Sequence, residues 1–137
     1  MATFKFELVS PERILFSGDV VSVIVPPSEG EMTVLAGHAP LVATLKSGIV
    51  LVQTSESSGK EFFVNGGLVE VNQASATILA EQGRFIEDVD AAVLDAEILA
   101  METRLTGAQG EEDRKRLSET LVQLREFKHV FEQRKAA

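Results

Sequence analysis

The fold of this chain is decided by residues 28–50, which read SEGEMTVLAGHAPLVATLKSGIV. Turn-forming residues interrupt apolar residues here too regularly for a helix. Gly37 supplies the backbone freedom that a turn needs, and Pro40 fixes its own φ and removes an N–H donor. The stretch therefore predicts two strands around a tight corner, with a role that is conformational and not catalytic.

Short apolar segments lie on both sides of this stretch, spaced at about ten residues and separated by turn signals. Residues 4–9 alternate between apolar and charged side chains, which is the period of a half-buried strand. Ser17-Gly18-Asp19 indicates a turn, and Asn65-Gly66 between two apolar runs is typical of a hairpin. The predicted strands are 4–9, 14–16, 20–25, 32–35, 41–45, 49–53, 61–64, 68–71 and 76–79. Residues 1–86 thus predict an antiparallel β-sandwich or flattened barrel.

Residues 87–137 follow a helical period and predict an antiparallel αα-hairpin. Glu87, Asp88 and Asp90 place negative charge on the first helical turn, and residues 107–110 break the helix. Each helix has a narrow apolar stripe, formed by Leu94, Ile98, Met101 and Leu105 in the first and by Leu117, Leu121, Leu124, Phe127 and Phe131 in the second. Such stripes predict a hairpin that is marginal alone, so we expect it to adopt more than one docking arrangement.

Composition excludes several classes of function. The formal net charge is −8, which argues against a broad phosphate-binding surface for nucleic acid. The chain has no Cys and only two His, so thiolate metal sites and histidine clusters are excluded. The amino terminus lacks the pattern of a signal peptide, and no apolar run approaches the roughly 20 residues that span a bilayer. We expect a soluble protein in a bacterial cytoplasmic setting, with no cofactor and no metal.

Basic residues concentrate in the second helix. Residues 111–137 carry 7 basic and 6 acidic side chains, whereas residues 87–110 carry 1 and 6. The candidate cations of this segment are Arg114, Lys115, Arg116, Arg125 and Lys128. One interpretation is a solvated helix face with intrahelical pairs such as Glu112 with Arg116. The other is attraction to an acidic partner surface.

No catalytic motif accompanies these features. The phosphate-binding loop, the dinucleotide-binding glycine pattern and the nucleophile elbow are all missing from the sequence. His38 lies in a Gly-His-Ala-Pro turn with no nucleophile beside it, so we interpret it as a turn or interface residue. Glu29 and Glu31, two apart in a glycine-containing loop, are more typical of solvated acids than of an acid/base pair.

Several motifs along the chain resemble the epsilon subunit family of bacterial F-type ATP synthases. They are VSPE at 9–12, FSG at 16–18, GEMTVLAGHAPL at 30–41, KSG at 46–48 and FVNGGLVEV at 63–71. The hairpin resembles the family in length and amphipathicity, and Arg125 lies in a Leu-Arg pair of the kind that the family shows. The resemblance implies a non-catalytic central-stalk subunit that attaches the γ shaft to the c ring of a proton-translocating synthase, peripheral at the cytoplasmic face of the bacterial cell membrane.

The same resemblance implies which residues meet the partners. The loop at 28–38 would face the c ring through Glu29, Glu31, Met32 and His38, and a face of the sandwich would hold γ. The second helix would extend toward an acidic segment of the catalytic β subunit in the α/β head and restrain ATP hydrolysis. The attraction would come from the five cations Arg114, Lys115, Arg116, Arg125 and Lys128.

The chain departs from the family at one motif. Some members bind ATP through Asp-x-x-Arg-Ala at the start of the first helix, but this sequence has Val93 where the arginine would fall, and Asp95 is followed by no arginine either. Without that cation a phosphate group loses its most directional contact. We therefore predict weak or absent ATP binding.

Two other classes of protein are weighed against this one. The first is a non-catalytic adaptor whose β-sandwich carries a basic helix that binds an acidic partner. The second is a sandwich enzyme or small-ligand carrier in the manner of cupins, which would need several His and Glu ligands inside a barrel. His38 and His129 are too far apart in sequence to suggest such a ligand set.

Overall fold

A computed structural model describes residues 2–25 and 32–136, with side chains up to residue 133. The chain divides into two compact units, residues 1–87 and residues 88–137. We call them the sheet unit and the hairpin unit, and describe each by itself.

The sheet unit contains eight strands in its described part. They are β1 Phe4–Val9, β2 Ile14–Val20, β3 Ser22–Val25, β4 Met32–Leu35, β5 Leu41–Leu45, β6 Gly48–Gln53, β7 Gly59–Val71 and β8 Ser75–Phe85. Their order in the sheet is β2-β1-β8-β7-β6-β3-β4, and β5 also pairs with β7. The predicted β domain is confirmed, except that β1 and β8 run parallel, so the arrangement is not wholly antiparallel.

The predicted turn at Ser17-Gly18-Asp19 is wrong, because these residues lie inside β2. Gly18 pairs with Phe6 and Ser17 with Glu7. Pairing with β1 along the whole of β2 outweighs the local turn preference of these residues. The chain bends instead at Val21, between the end of β2 and the start of β3.

The predicted hairpin turn at Asn65-Gly66 is also wrong, because β7 continues through it. Before this point β7 pairs with β6, through Val64 and Gly48, and beyond it with β5, through Gly67 and Leu45. On its other side β7 pairs with β8 from Phe62 to Val71, that is, both before and beyond this point. The glycines therefore mark a corner at which β7 changes its neighbour, and we call this the β7 corner.

Gly67 is required at the β7 corner. Its φ is +131°, and a Cβ placed on it would lie 2.3 Å from the carbonyl oxygen of Leu79. Neither the angle nor the space suits a side chain. Beside it, the buried Asn65 accepts a hydrogen bond from the Ser47 hydroxyl through its Oδ1 atom, which ties β7 to the connection between β5 and β6.

One hydrophobic core fills the sheet unit. All eight strands contribute buried apolar side chains to a single cluster, among them Phe6 of β1, Val50 of β6, Phe62 of β7 and Ile78 of β8. Both ends of the long β7 contribute to it, since Phe62 and Val69 lie on opposite sides of the β7 corner. The two halves of the bent sheet thus share one core, as in a sandwich or flattened barrel.

The hairpin unit contains helices α1 Ala91–Thr106 and α2 Glu111–Ala136, which contact each other. Helix α1 starts later than predicted: Ile86–Asp88 form a 3₁₀ turn, and Asp90 is the N-cap, accepting from the amides of Ala92 and Val93 at 2.8 and 3.3 Å. The predicted break at 107–110 is confirmed. The predicted stripe of α2 is buried throughout, whereas in α1 only Leu94 of the stripe is fully buried.

Candidate functional surfaces

The turn after β4 holds His38 in a defined conformation. The His38 amide donates to the Leu35 carbonyl at 3.1 Å, and Gly37 between them has a φ of +78°. Ala36 has no positive φ, so this is the pattern of a type II turn, in which glycine suits the third position. The Nδ1 atom of His38 lies 2.9 Å from the Ala39 carbonyl oxygen, so a hydrogen bond there requires the proton on Nδ1.

The structure describes two of the four residues predicted to face a ring of c subunits. Met32 begins β4 and packs against the core of the sheet unit, so its side chain is half-buried. His38 is half-buried in the turn at the other end of β4. Glu29 and Glu31 lie outside the described residues. The two described residues therefore occupy opposite ends of one short strand.

Two ion pairs connect the helices of the hairpin unit. Arg125 Nη2 lies 2.9 Å from Glu102 Oε2, and Lys128 Nζ lies 2.8 Å from Asp95 Oδ1. Their order is reversed along the two helices, as in an antiparallel pair. The hydrogen bond from Lys128 to Asp95, and the attraction between their charges, raise the pKa of Lys128 above its ordinary value. Both pairs are partly exposed to solvent.

The remaining predicted cations lie in the first turns of α2. Arg114 donates from Nε to the Ala108 carbonyl at 3.3 Å, and Arg116 lies 3.4 Å from Asp113. The pair expected between Glu112 and Arg116 is therefore replaced by a shorter-range one, at i and i+3. Lys115 is exposed between them. The five predicted cations thus form two groups: one at the start of α2, and one that holds α1.

Sequence reasoning missed Asp95 and Glu102 as partners of this second group. Each belongs to an acidic helix that faces a basic one, so the opposite charges of the two helices were a usable signal. The individual partners depend on how the helices cross, and a narrow apolar stripe does not determine that. Charge alone therefore predicts that α1 and α2 attract, but not through which atoms.

The start of α1 offers no cation at the position that the family's ATP motif requires. Asp90 is used as the N-cap, and Val93 is 57% exposed. Within residues 2–25 and 32–136, no three His, Asp or Glu side chains come together in a way that could hold a metal ion. Neither of the two helices combines the length and the apolar character that crossing a membrane would need, over the part of the chain that the structure describes.

Comparison with known proteins gives one family over nearly the whole chain. The family profile described as "ATP synthase, Delta/Epsilon chain, beta-sandwich domain" matches residues 3–85. The ATP synthase epsilon chain of Parvibaculum lavamentivorans is 43% identical over 126 residues, covering 92% of this chain and 96% of the relative. That of Bradyrhizobium sp. strain BTAi1 is 44% identical over 133 residues, covering 97% and 95%.

Solved structures show the same fold at lower sequence identity. A chain in the cryo-EM structure of the Euglena gracilis mitochondrial ATP synthase, which contains OSCP, F1 and the c-ring, is similar with a TM-score of 0.65 and 22% identity over 99% of this chain and 81% of that one. Of the three classes weighed from the sequence, these findings favour the epsilon subunit over the adaptor and the cupin-like protein. The chain belongs to the ATP synthase epsilon chain family, the non-catalytic central-stalk subunits of F-type ATP synthases.

Proposed function

We propose that the two units divide the work of a central-stalk subunit. The sheet unit docks the chain between the γ shaft and the ring of c subunits, and the hairpin unit restrains ATP hydrolysis by the α/β head. Family membership over nearly the full length supports the first part. The chain is then a peripheral component at the cytoplasmic face of a bacterial membrane, held there through a proton-translocating complex.

The turn after β4 suits a docking role because its shape is fixed by the backbone. A docking loop that is already ordered loses little conformational entropy on binding. Gly37 and the hydrogen bond between Leu35 and His38 set the path of this turn. In our proposal His38 meets the c ring together with Met32 at the start of β4, and Glu29 and Glu31 complete the contact.

The two ion pairs between α1 and α2 are the observation that carries the regulatory part. Arg125 and Lys128 are among the cations that would meet an acidic segment of the β subunit, and in the closed hairpin they are paired with Glu102 and Asp95. A cation cannot make both contacts at once. Closing the hairpin and restraining the α/β head therefore compete for the same side chains.

In this proposal the closed hairpin and the hairpin engaged with the α/β head differ little in free energy. A partly exposed ion pair such as Arg125 with Glu102 contributes about 0.2–1 kcal/mol. Such a contribution is small enough for a partner surface of opposite charge to replace it. The other three cations, Arg114, Lys115 and Arg116, make no contact to an acidic side chain of α1 among the described ion pairs. In our proposal they add to the attraction toward the acidic segment of the β subunit once the hairpin opens.

The test removes the acidic partners and keeps the cations. Asp95→Asn with Glu102→Gln leaves Arg125 and Lys128 unpaired, so in the assembled synthase we expect ATP hydrolysis to be restrained more strongly than in the unchanged enzyme. The control is Glu119→Gln with Glu126→Gln, which removes the same charge from exposed positions of α2. Steady-state hydrolysis by the purified complex is the measurement.

Two outcomes would contradict the proposal. If the paired variant and its control hydrolyse ATP equally, the competition for Arg125 and Lys128 has no regulatory effect. If the chain truncated after residue 86 no longer joins the complex, the sheet unit is not sufficient for docking. We expect instead that the truncated chain assembles and that hydrolysis rises.

A further inference from the structure

His38 is the one residue of the turn after β4 with a polar side chain. The other residues of 36–40 are two Ala, a Gly and a Pro, whose side chains neither donate nor accept a hydrogen bond. Gly37, Ala39 and Pro40 are exposed to solvent, and the His38 ring is half-buried beside them. A directional side-chain contact between this turn and another molecule therefore has to use the His38 ring.

The contact with Ala39 decides which ring nitrogen of neutral His38 carries the proton. A carbonyl oxygen only accepts hydrogen bonds, so the distance of 2.9 Å between Nδ1 and the Ala39 oxygen places the proton on Nδ1. A neutral imidazole has one such proton, which leaves Nε2 as a bare acceptor. Among the described residues, no group donates a hydrogen bond to this nitrogen. The turn thus presents one unused acceptor in a fixed orientation.

Acid changes Nε2 from an acceptor into a donor and leaves the contact with Ala39 in place. A second proton has to go to Nε2, because Nδ1 already carries one. The protonated ring still donates from Nδ1, so the turn keeps its shape while Nε2 gains an N–H and the ring gains a positive charge. Histidine is the side chain that ordinarily makes this change between about pH 5 and pH 8.

The charged groups around the turn are not histidines. Strands β3, β4 and β5, which lie next to it, contain no charged side chain. Those that come next, on further strands or at the far end of β5, are Glu70 and Lys60 of β7, Glu56 after β6, Lys46 after β5, Lys5 of β1 and Asp19 of β2. Glu29 and Glu31, which precede β4, lie outside the described residues. Carboxylates and amines ordinarily keep their charge between about pH 5 and pH 8.

We propose that His38 is a pH-sensitive contact of this turn: neutral Nε2 accepts a hydrogen bond from a donor group of the c ring, and protonation of Nε2 releases it. The inference rests on the proposed function, which places His38 against the c ring. Protonation removes the acceptor and sets a cation against a donor, so docking weakens as pH falls. The chemistry that recognises the turn is therefore an N–H or O–H group and not a carboxylate.

The position of the proton is tested in the free chain, without a partner. Long-range nitrogen–proton NMR correlations distinguish a protonated ring nitrogen from a bare one, and the chain has only two histidines. At about pH 8 we expect His38 to carry its proton on Nδ1. His129, which is exposed on α2, is the control and should show a mixture of both forms. A proton on Nε2 of His38 would overturn the inference, whatever the chain binds.

Binding to the assembled complex tests the role of the acceptor. The reference variant is His129→Gln, which leaves His38 as the sole histidine. It is added back to a synthase from which this chain has been removed, and its dissociation constant is measured at two pH values. Between about pH 8 and about pH 5.5 we expect the dissociation constant to rise about tenfold, as for the loss of one hydrogen bond.

Two substitutions of His38 in this background separate the acceptor from the shape of the turn. In His38→Asn the amide nitrogen takes the place of Nδ1 and donates to Ala39, but nothing accepts at the Nε2 position, so binding should be weak at both pH values. In His38→Gln the longer side chain brings its amide oxygen to the Nε2 position, so binding should be strong at both. A pH dependence that persists in His38→Asn would assign it to another group and contradict the inference.

Failure of this inference is distinguishable from failure of the proposed function. If the reference variant binds the complex equally well at both pH values, His38 is not a pH-sensitive contact, and the proposed docking stands. Equal binding of His38→Asn and the reference variant at the higher pH has the same meaning. If the chain binds the complex at neither pH, the proposed function is wrong and the inference falls with it.

Discussion

The sheet unit and the hairpin unit are held together by different kinds of contact. The sheet unit has one core to which every strand contributes, whereas in the hairpin unit the apolar stripe of α2 is buried and only Leu94 of the α1 stripe is fully buried. Two partly exposed ion pairs supplement that stripe. The difference supports the division of work proposed above, in which a cooperative core keeps a docking surface fixed and weaker contacts allow the helix pair to open.

The largest effect expected from this comparison is in the core of the sheet unit. Leu8 is fully buried, so Leu8→Ala removes its packing and leaves a cavity, at a cost of about 2–5 kcal/mol in the free energy of unfolding. The matched control is Leu79→Ala on the outer face, which should cost far less. Urea denaturation of both variants gives the comparison, and equal midpoints would mean that the core is not cooperative.

The next effect concerns the β7 corner. Gly67→Ala forces a side chain into a φ of +131° and against the Leu79 carbonyl, so we expect a loss of at least about 1–3 kcal/mol. Gly110→Ala is the control, because a Cβ there meets nothing within 4 Å and the glycine has no positive φ. Thermal unfolding measures both. A Gly67→Ala protein as stable as the control would show that the corner adapts to a side chain.

The β7 corner also shows what the sequence could not predict. The alternation of apolar and polar residues predicted most strands correctly, because this pattern follows from which face of a strand is buried. Asn65-Gly66 is typical of a hairpin turn because these residues adopt turn conformations easily. The same conformational freedom suits a point at which a long strand bends and changes its neighbour. Only the distant pairing of β7 with β5 and β6 separates the two cases. A single sequence does not contain that register.

The candidate functional residues also differ in how far the sequence alone could predict them. Composition identified the cations of α2, and the helical period identified its buried stripe from Leu117 to Phe131. The partners of Arg125 and Lys128 were missed, because they depend on how α1 crosses α2. The stripe of α1 was overestimated, since only Leu94 is fully buried. The buried face of a strand inside a sheet can be predicted from its alternating sequence. Which residues of a helix are buried depends on the surface that packs against it.

Breaking one ion pair should have a smaller effect than either change in the sheet unit. Arg125→Gln removes the contact with Glu102 and should cost about 0.2–1 kcal/mol in the closing of the hairpin, less at high salt because exposed charges are screened. Lys115→Gln, an exposed position at the start of α2, is the control. Amide hydrogen exchange in α1 is the measurement. Equal protection in both variants at low salt would show that the pair does not hold the hairpin.

The pair between Lys128 and Asp95 should make the hairpin sensitive to high pH. Pairing raises the pKa of Lys128 in the folded state, so its contribution is complete below the ordinary value of 10.5 and is lost as pH rises through the folded value. The chain has no Tyr or Cys to titrate in this range. Hydrogen exchange corrected for its intrinsic pH dependence should show α1 opening there, and Lys128→Gln should remove the step. A step that persists in Lys128→Gln would assign it to another group.

The smallest expected effect is that of ATP on the hairpin, which we predict to be none at micromolar concentration. At the start of α1, Asp90 is occupied in capping the helix, and the neighbouring Val93 offers no charge to a phosphate. In this chain the helices already contact each other, and the pairs of Arg125 and Lys128 with α1 supplement the buried stripe of α2, so we expect no nucleotide to be needed for this arrangement. Calorimetry of the full chain with ATP is the measurement, with Val93→Arg as the comparison. Micromolar affinity in the unchanged chain would contradict the prediction. Binding that appears only in Val93→Arg would show that one missing cation separates a hairpin held by its own contacts from one that a ligand can hold.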